Sequence, residues 1–358
     1  MLFIFLSFIA YVAAIVVYLI ANKNKKTSLF SITSYIITGT FFFGIVIVFF
    51  YLIKFNGNAN ILLFPDEITY LYNIYYVGFF DMYVKLMYNI GGIELVRAIN
   101  IFSFFLGQLF IINLVTSDKF SSRGLFFRVF IIIALSIFSY WVYFVLKEAF
   151  TFLGIALYLS SQEGKSRNMK IAAFLIIFIT RLNLFALIIL VELLTKIYQR
   201  IKGKIVIMLV FLFLTVINIF NSPISFAYKY GILASRFGSA IGQRFDDAAR
   251  STASKGFFSF VFSKEYFQLI ITNLNETFNP LVGNSIFIKM MILINLVAVL
   301  LIFLYIKPKI DKSLIVFISI TILLLATYSS FRYINSIIIP FCIYFYVQKN
   351  KKRRSNFL

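Results

Sequence analysis

The sequence predicts an all-α protein, a polytopic bundle of transmembrane helices, and three observations predict it. Hydrophobic residues fill 61% of the 358 positions. Mean hydropathy is +0.95. Apolar runs of roughly 17–22 residues recur along the whole chain, about the length that crosses a bilayer. A water-soluble domain needs more charged surface than this to cover its core. The chain therefore reads as one integral membrane domain, 1–358, with about eleven spans, within ten to twelve.

The first run, 1–20, has neither a basic leader nor a small-residue cleavage site, so it reads as a retained span. The following apolar segments are 31–53, 98–116, 124–144, 148–162, 169–181, 183–198, 204–220, 286–306, 313–328 and 333–347. The loops between them alternate in character. Basic groups beginning at Lys23, Lys119, Lys165, Arg200 and Lys307, together with the tail Lys349–Arg354, all fall on one side if the spans alternate. Short basic loops mark the cytoplasmic side, which puts the N-terminus outside and the C-terminus inside. The outer side then receives two larger loops, 54–97 and 221–285. The segments 148–162 and 169–181 are short, and the next begins directly after Arg181, a layout that leaves a recess between helix ends. The second loop is rich in Gly, Ser and Ala and has room for an amphipathic piece lying on the membrane.

Composition narrows the chemistry. Histidine is absent, which removes the commonest general base and metal ligand. The single cysteine, Cys342, lies inside the last apolar run, so disulfide, Cys-x-x-Cys and cysteine–histidine systems are excluded. Catalysis must rest on carboxylates, Arg, Lys, Tyr or a divalent ion held by oxygen ligands. The net charge of +21 is largely accounted for by loop anchoring, and nucleic acid is not an expected partner.

Only 13 residues are acidic, and two of them are adjacent: Asp66-Glu67, within Phe64-Pro65-Asp66-Glu67-Ile68-Thr69-Tyr70, on the outer side. Proline followed by acids suits a capped helix start. The same pair also suits a general base with a carboxylate that orients it or holds a divalent ion, and Tyr70 stands close to it in sequence. Lys147-Glu148 sits between two apolar runs with almost no loop, where ionisable residues are costly unless paired or hydrated. Arg181 interrupts an otherwise continuous apolar stretch, and Arg332-Tyr333 opens the last span on the same side. Each arginine offers a planar fork suited to phosphate oxygens, or else snorkels to the interface from a helix end. The second outer loop adds Arg236, Arg244 and Arg250, a cradle for an anionic glycan lipid or a solvated loop near headgroups, with Asp246-Asp247 as a further acidic pair.

This order of features resembles multi-span transferases that use polyprenyl-linked sugars. C-type membrane glycosyltransferases carry an acidic motif in the first extracytoplasmic loop, matched here by Asp66-Glu67. Wzy-type O-antigen and capsule repeat-unit polymerases are similar in size and aromatic content, with functional arginines in two extracytoplasmic loops, which Arg236, Arg244 and Arg250 would match. The chain departs from the first group in lacking a large soluble C-terminal domain and in placing its acidic motif after the second span. The resemblance implies polymerisation of undecaprenyl-pyrophosphate-linked repeat units at the outer face of a bacterial inner membrane, as in lipopolysaccharide synthesis. It implies Asp66 as base, Glu67 or Glu148 beside it, and Lys147, Arg181, Arg332 and the loop arginines on pyrophosphate. No metal ligand is assigned, a divalent cation is left open as cofactor, and a chain-length regulator is left open as partner. The alternatives are a C-type enzyme adding one sugar from a polyprenyl-phosphate donor, and a lipid-linked glycan flippase or transporter. A transporter would carry duplicated halves, and none is visible.

Overall fold

The computed structural model describes residues 2–22, 28–56, 79–115, 122–144, 146–164, 166–197, 264–283, 285–327 and 331–355. Among the described residues there is no strand. The helices are α1 (Leu2–Ala21), α2 (Leu29–Asn56), α3 (Phe79–Ile112), α4 (Ser122–Val142), α5 (Glu148–Gly164), α6 (Arg167–Thr180), α7 (Leu182–Ile197), α8 (Lys264–Phe278), α9 (Ile286–Leu300), α10 (Lys312–Thr327) and α11 (Phe331–Ser355). A π-helical turn, Leu301–Ile306, extends α9 and ends at Lys307, whose φ of 50° closes it. Five stretches are long and apolar enough to cross a membrane: Phe3–Ala21, Leu29–Leu52, Phe79–Val115, Gly124–Val142 and Ile286–Ile306. The protein is a helical bundle of membrane type.

Every apolar segment expected from sequence is helical except 204–220, which lies outside the described residues. Two helices also occur where sequence places loops. α8 falls within 221–285, and α3 begins at Phe79, within 54–97. The start of α3 is hidden in sequence because Asp81, Lys85, Glu94 and Arg97 interrupt its apolar pattern. It is also broken in the middle: Gly92 has φ 69° and ψ −171°, a conformation essentially confined to glycine. Before the break Phe80 and Val84 are buried; they cluster with Val96 beyond it and pack against Phe150 of α5.

The chain divides into two compact units, Met1–Ala186 with Gly283–Pro308 and Phe331–Leu358, and Leu187–Val282 with Lys309–Ser330. In the second, α8 packs on α10, and Lys312 Nζ pairs with Glu192 Oε1 of α7 at 2.8 Å. In the first, contacts between helix ends fix the direction of each helix. At one end Phe3 meets Tyr143, Phe49 meets Tyr143 and Tyr140 stacks on Phe287. At the other, Tyr18 meets Phe110, Arg128 lies over Phe30, Phe127 stacks on Tyr346, and Gln348 and Lys349 donate to Glu163 and to the carbonyl of Tyr305. Successive helices α1–α6 therefore alternate in direction, while α9 and α11 run parallel to α1.

Buried polar side chains join the helices, as expected where apolar contact alone does not distinguish a neighbour from lipid. Gln108 of α3 donates to Thr38 Oγ1 of α2 at 3.2 Å, and Asn335 of α11 donates to Asn295 and to the Met291 carbonyl of α9. α3 and α5 approach so closely that a Cβ on Gly107 would lie 3.0 Å from Leu153 Cα.

Candidate functional site

The site is built on the five-residue connection between α4 and α5, which α3 holds in place. Asn100 Nδ2 donates to the Phe144 carbonyl at 2.6 Å. Arg97 Nη1 donates to Tyr143 Oη at 3.2 Å, with its guanidinium 4.5 Å from that ring's centroid. So anchored, the connection delivers Lys147 and Glu148 to the start of α5, where the helix dipole favours a carboxylate. Lys147 Nζ lies 3.6 Å from Oδ1 of Asp81, a buried residue in the first turn of α3. Burial pushes the Lys147 ammonium below the ordinary lysine value, and Asp81 opposes that shift.

Arg181 reaches the same place from α6. That helix stops at Thr180, and Arg181 takes φ −148° and ψ 85° while its N–H still donates to the Ile177 carbonyl at 2.7 Å. α7 starts at the next residue, so Arg181 sits in the corner between two helices, facing α5. Its Nε donates to Thr151 Oγ1 at 3.3 Å, and its guanidinium lies 4.0 Å from the Tyr333 ring centroid. Arg332, the second residue of α11, is 5.5 Å from the Tyr333 ring and 5.8 Å from the Trp141 ring. Both distances are within the range where an aromatic face attracts a cation.

The two arginines meet at one atom. Arg181 Nη2 and Arg332 Nε each lie 3.9 Å from Glu148 Oε1. That distance is inside Coulomb range and outside the 2.7–2.9 Å or so of a charge-assisted hydrogen bond. Glu148 is only 2% exposed, and neither its Oε1 nor Arg181 Nη2 makes a hydrogen bond within the protein. Lys147, Arg181 and Arg332 carry three positive charges against two on Asp81 and Glu148. The cluster sets planar donors in an aromatic frame. Such an arrangement can receive an anion with several oxygens.

Of the residues singled out by sequence, the structure brings together Lys147, Glu148, Arg181 and Arg332, with Tyr333 between the two arginines. Asp66, Glu67, Tyr70, Arg236, Arg244 and Arg250 lie outside the described residues, as do Asp246 and Asp247. Sequence reading missed Asp81, Arg97, Asn100, Trp141 and Thr151. Asp81 carried a usable signal, a lone acid between Phe80 and Met82 in an acid-poor chain. Thr151 and Asn100 carried none. Among the described residues no three Asp, Glu or Cys side chains gather as a metal site. No protein-family model, curated protein or solved structure matches this chain.

Proposed function

We propose that the protein is a membrane glycosyltransferase that polymerises undecaprenyl-pyrophosphate-linked oligosaccharide repeat units, of the O-antigen or capsule kind, at the outer face of a bacterial cytoplasmic membrane. The observation that carries this reading is the convergence of Arg181 and Arg332 on Glu148 at the bundle end opposite the basic residues Arg167, Lys170, Lys307 and Lys349. Positive residues favour the cytoplasmic side, so the cluster belongs on the outer one, with about eleven spans, the N-terminus outside and the C-terminus inside. α6 has 14 residues and is about 21 Å long, so its end at Arg181 lies at the depth of lipid phosphates or below it.

In the reaction an acceptor sugar hydroxyl attacks the anomeric carbon of the donor glycan. Its proton passes to the Asp66 carboxylate, the new glycosidic bond forms, and the bond from the anomeric carbon to the pyrophosphate oxygen breaks. The electron pair leaves with polyprenyl pyrophosphate. Arg181 and Arg332, with Lys147 beside them, neutralise that leaving group where the charge develops, the interaction that accelerates transfer most. The lipid chain stays in the bilayer, and Arg236, Arg244 and Arg250 hold the glycan.

Surface glycan resolved by length tests this reading. Cells lacking the gene should retain core with a single repeat and lose the ladder, and Asp66→Asn should reproduce that loss at normal protein abundance. A ladder of ordinary length in the Asp66→Asn strain removes Asp66 as base. Loss of even the first repeat instead identifies a single-sugar transferase or a flippase.

A further inference from the structure

The contact between α5 and α6 is set one turn short of the site. A Cβ on Gly154 would lie 2.6 Å from Ile177 Cγ1, so the missing side chain lets the two antiparallel helices close up there. One turn further toward the site on each helix, that spacing places Thr151 opposite Arg181. Thr151 is fully buried, and its Oγ1 bonds with the Lys147 carbonyl at 2.9 Å and with Arg181 Nε at 3.3 Å. Chemistry fixes the direction of both bonds. A carbonyl only accepts and a guanidinium only donates, so the hydroxyl gives its proton to Lys147 and receives Nε–H from Arg181. Alone, a threonine bonded to the carbonyl four residues back is ordinary helix chemistry. Here the same bond turns the oxygen lone pair across the helix contact.

We propose that Thr151 is a positioning residue for the leaving pyrophosphate, acting through Arg181 by holding the guanidinium so that Nη2 meets a phosphate oxygen. The inference rests on the pyrophosphate reading of the cluster. The Tyr333 ring, 4.0 Å from the guanidinium, fixes the plane of Arg181 but leaves it able to turn within that plane. The bond at Nε removes that freedom. Nη2 shares an edge of the guanidinium with the Nε proton, so its direction is set as well. It lies 3.9 Å from Glu148 Oε1 and makes no hydrogen bond within the protein. The bonds run in series from Arg181 through Thr151 to the Lys147 carbonyl, so the connection that delivers Lys147 also sets the angle of Arg181. A donor oriented in advance needs no rotation when negative charge develops on the pyrophosphate.

Binding of inorganic diphosphate to the full chain in phosphatidylcholine nanodiscs tests this, with melting curves to show that each variant is folded. Thr151→Val keeps the shape and removes the hydroxyl, and should weaken binding about tenfold, the loss of one oriented charge-assisted donor. Thr151→Ser keeps the hydroxyl and should bind within about twofold of wild type. Arg181→Lys already lacks Nε–H, so adding Thr151→Val to it should change affinity by less than about twofold. If the valine protein does not fold, Thr151→Ala carries the same comparison. Wild-type affinity in a folded valine or alanine variant overturns the positioning role and leaves the arginine site intact. Equal losses in Thr151→Ser and Thr151→Val overturn it as well, because packing and not the hydroxyl then matters. So does a tenfold loss that persists beside Arg181→Lys, since Thr151 then acts through some other group. If wild type itself does not bind diphosphate, the pyrophosphate reading fails and takes this inference with it.

Discussion

Glu148 opens α5, and on an isolated helix an acid in that position contributes only about 0.3–1 kcal/mol through the dipole. The two guanidinium groups that α6 and α11 bring to it make it the centre of a charge cluster. The residues that form this centre were readable in sequence for one reason: a charge inside an apolar run is expensive, so Lys147, Glu148, Arg181 and Arg332 stand out without any knowledge of the fold. Their partners were not readable. Thr151 looks like any small polar residue on a helix, and its role exists only because Arg181 breaks α6 in the right direction. Arg181→Lys keeps the charge and loses the planar stack on Tyr333 and the Nε–H bond to Thr151. Polymer formation in membranes carrying that variant should fall by about 10²-fold at unchanged protein level, the scale of losing one oriented donor at a developing charge. A variant as active as wild type would reduce Arg181 to a membrane anchor.

At the scale of elements, α3 is the case where pattern and fold part. Its second half follows the apolar run expected from 98 onward, whereas the first half carries Asp81, Lys85 and two adjacent glycines and reads as a loop. Tertiary contact makes it helical: Phe80 and Val84 bury against Val96 and Phe150, a pairing that sequence periodicity across a break does not reveal. The break lets the short half bring Asp81 to Lys147 while the long half, with Arg97 and Asn100, clamps the α4–α5 connection. Gly92→Ala should cost about 1–3 kcal/mol, because alanine rarely adopts φ 69° with an extended ψ. A detergent melting curve reads this directly. An unshifted curve would mean that the two halves rearrange freely about the glycines. α8 is the second helix that sequence left inside a loop, although an amphipathic piece in that loop was expected.

Within the first unit, Arg167, Lys170, Lys307 and Lys349 stand at one bundle end and the mixed charge cluster at the other. Ring contacts near the two ends set the directions of α1, α3, α4, α9 and α11 in that unit. Sequence reading brings Lys147, Glu148, Arg181 and Arg332 to one membrane face, but that Glu148 meets Arg332 depends on how α5 and α11 lie side by side. A periplasm-active reporter fused after residue 70 should give signal, and the same reporter at the C-terminus should give none. Signal in the reverse order would place the cluster against the cytoplasm and remove the polymerase reading.

The shortness of α6 reaches beyond the protein into the lipid around it. Its exposed side chains Ile171, Leu175 and Ile179 cover far less height than a hydrocarbon layer of about 30 Å. If α6 spans the bilayer, as the eleven-span reading has it, the surrounding leaflet dimples to meet them, at a fraction of a kcal/mol per ångström of mismatch. On the polymerase reading, membrane thickness then controls turnover, which should be faster in bilayers of 14-carbon acyl chains than of 20-carbon chains, measured on one preparation reconstituted in both. The protein would then sort toward thin patches of its own membrane, where the bilayer already yields.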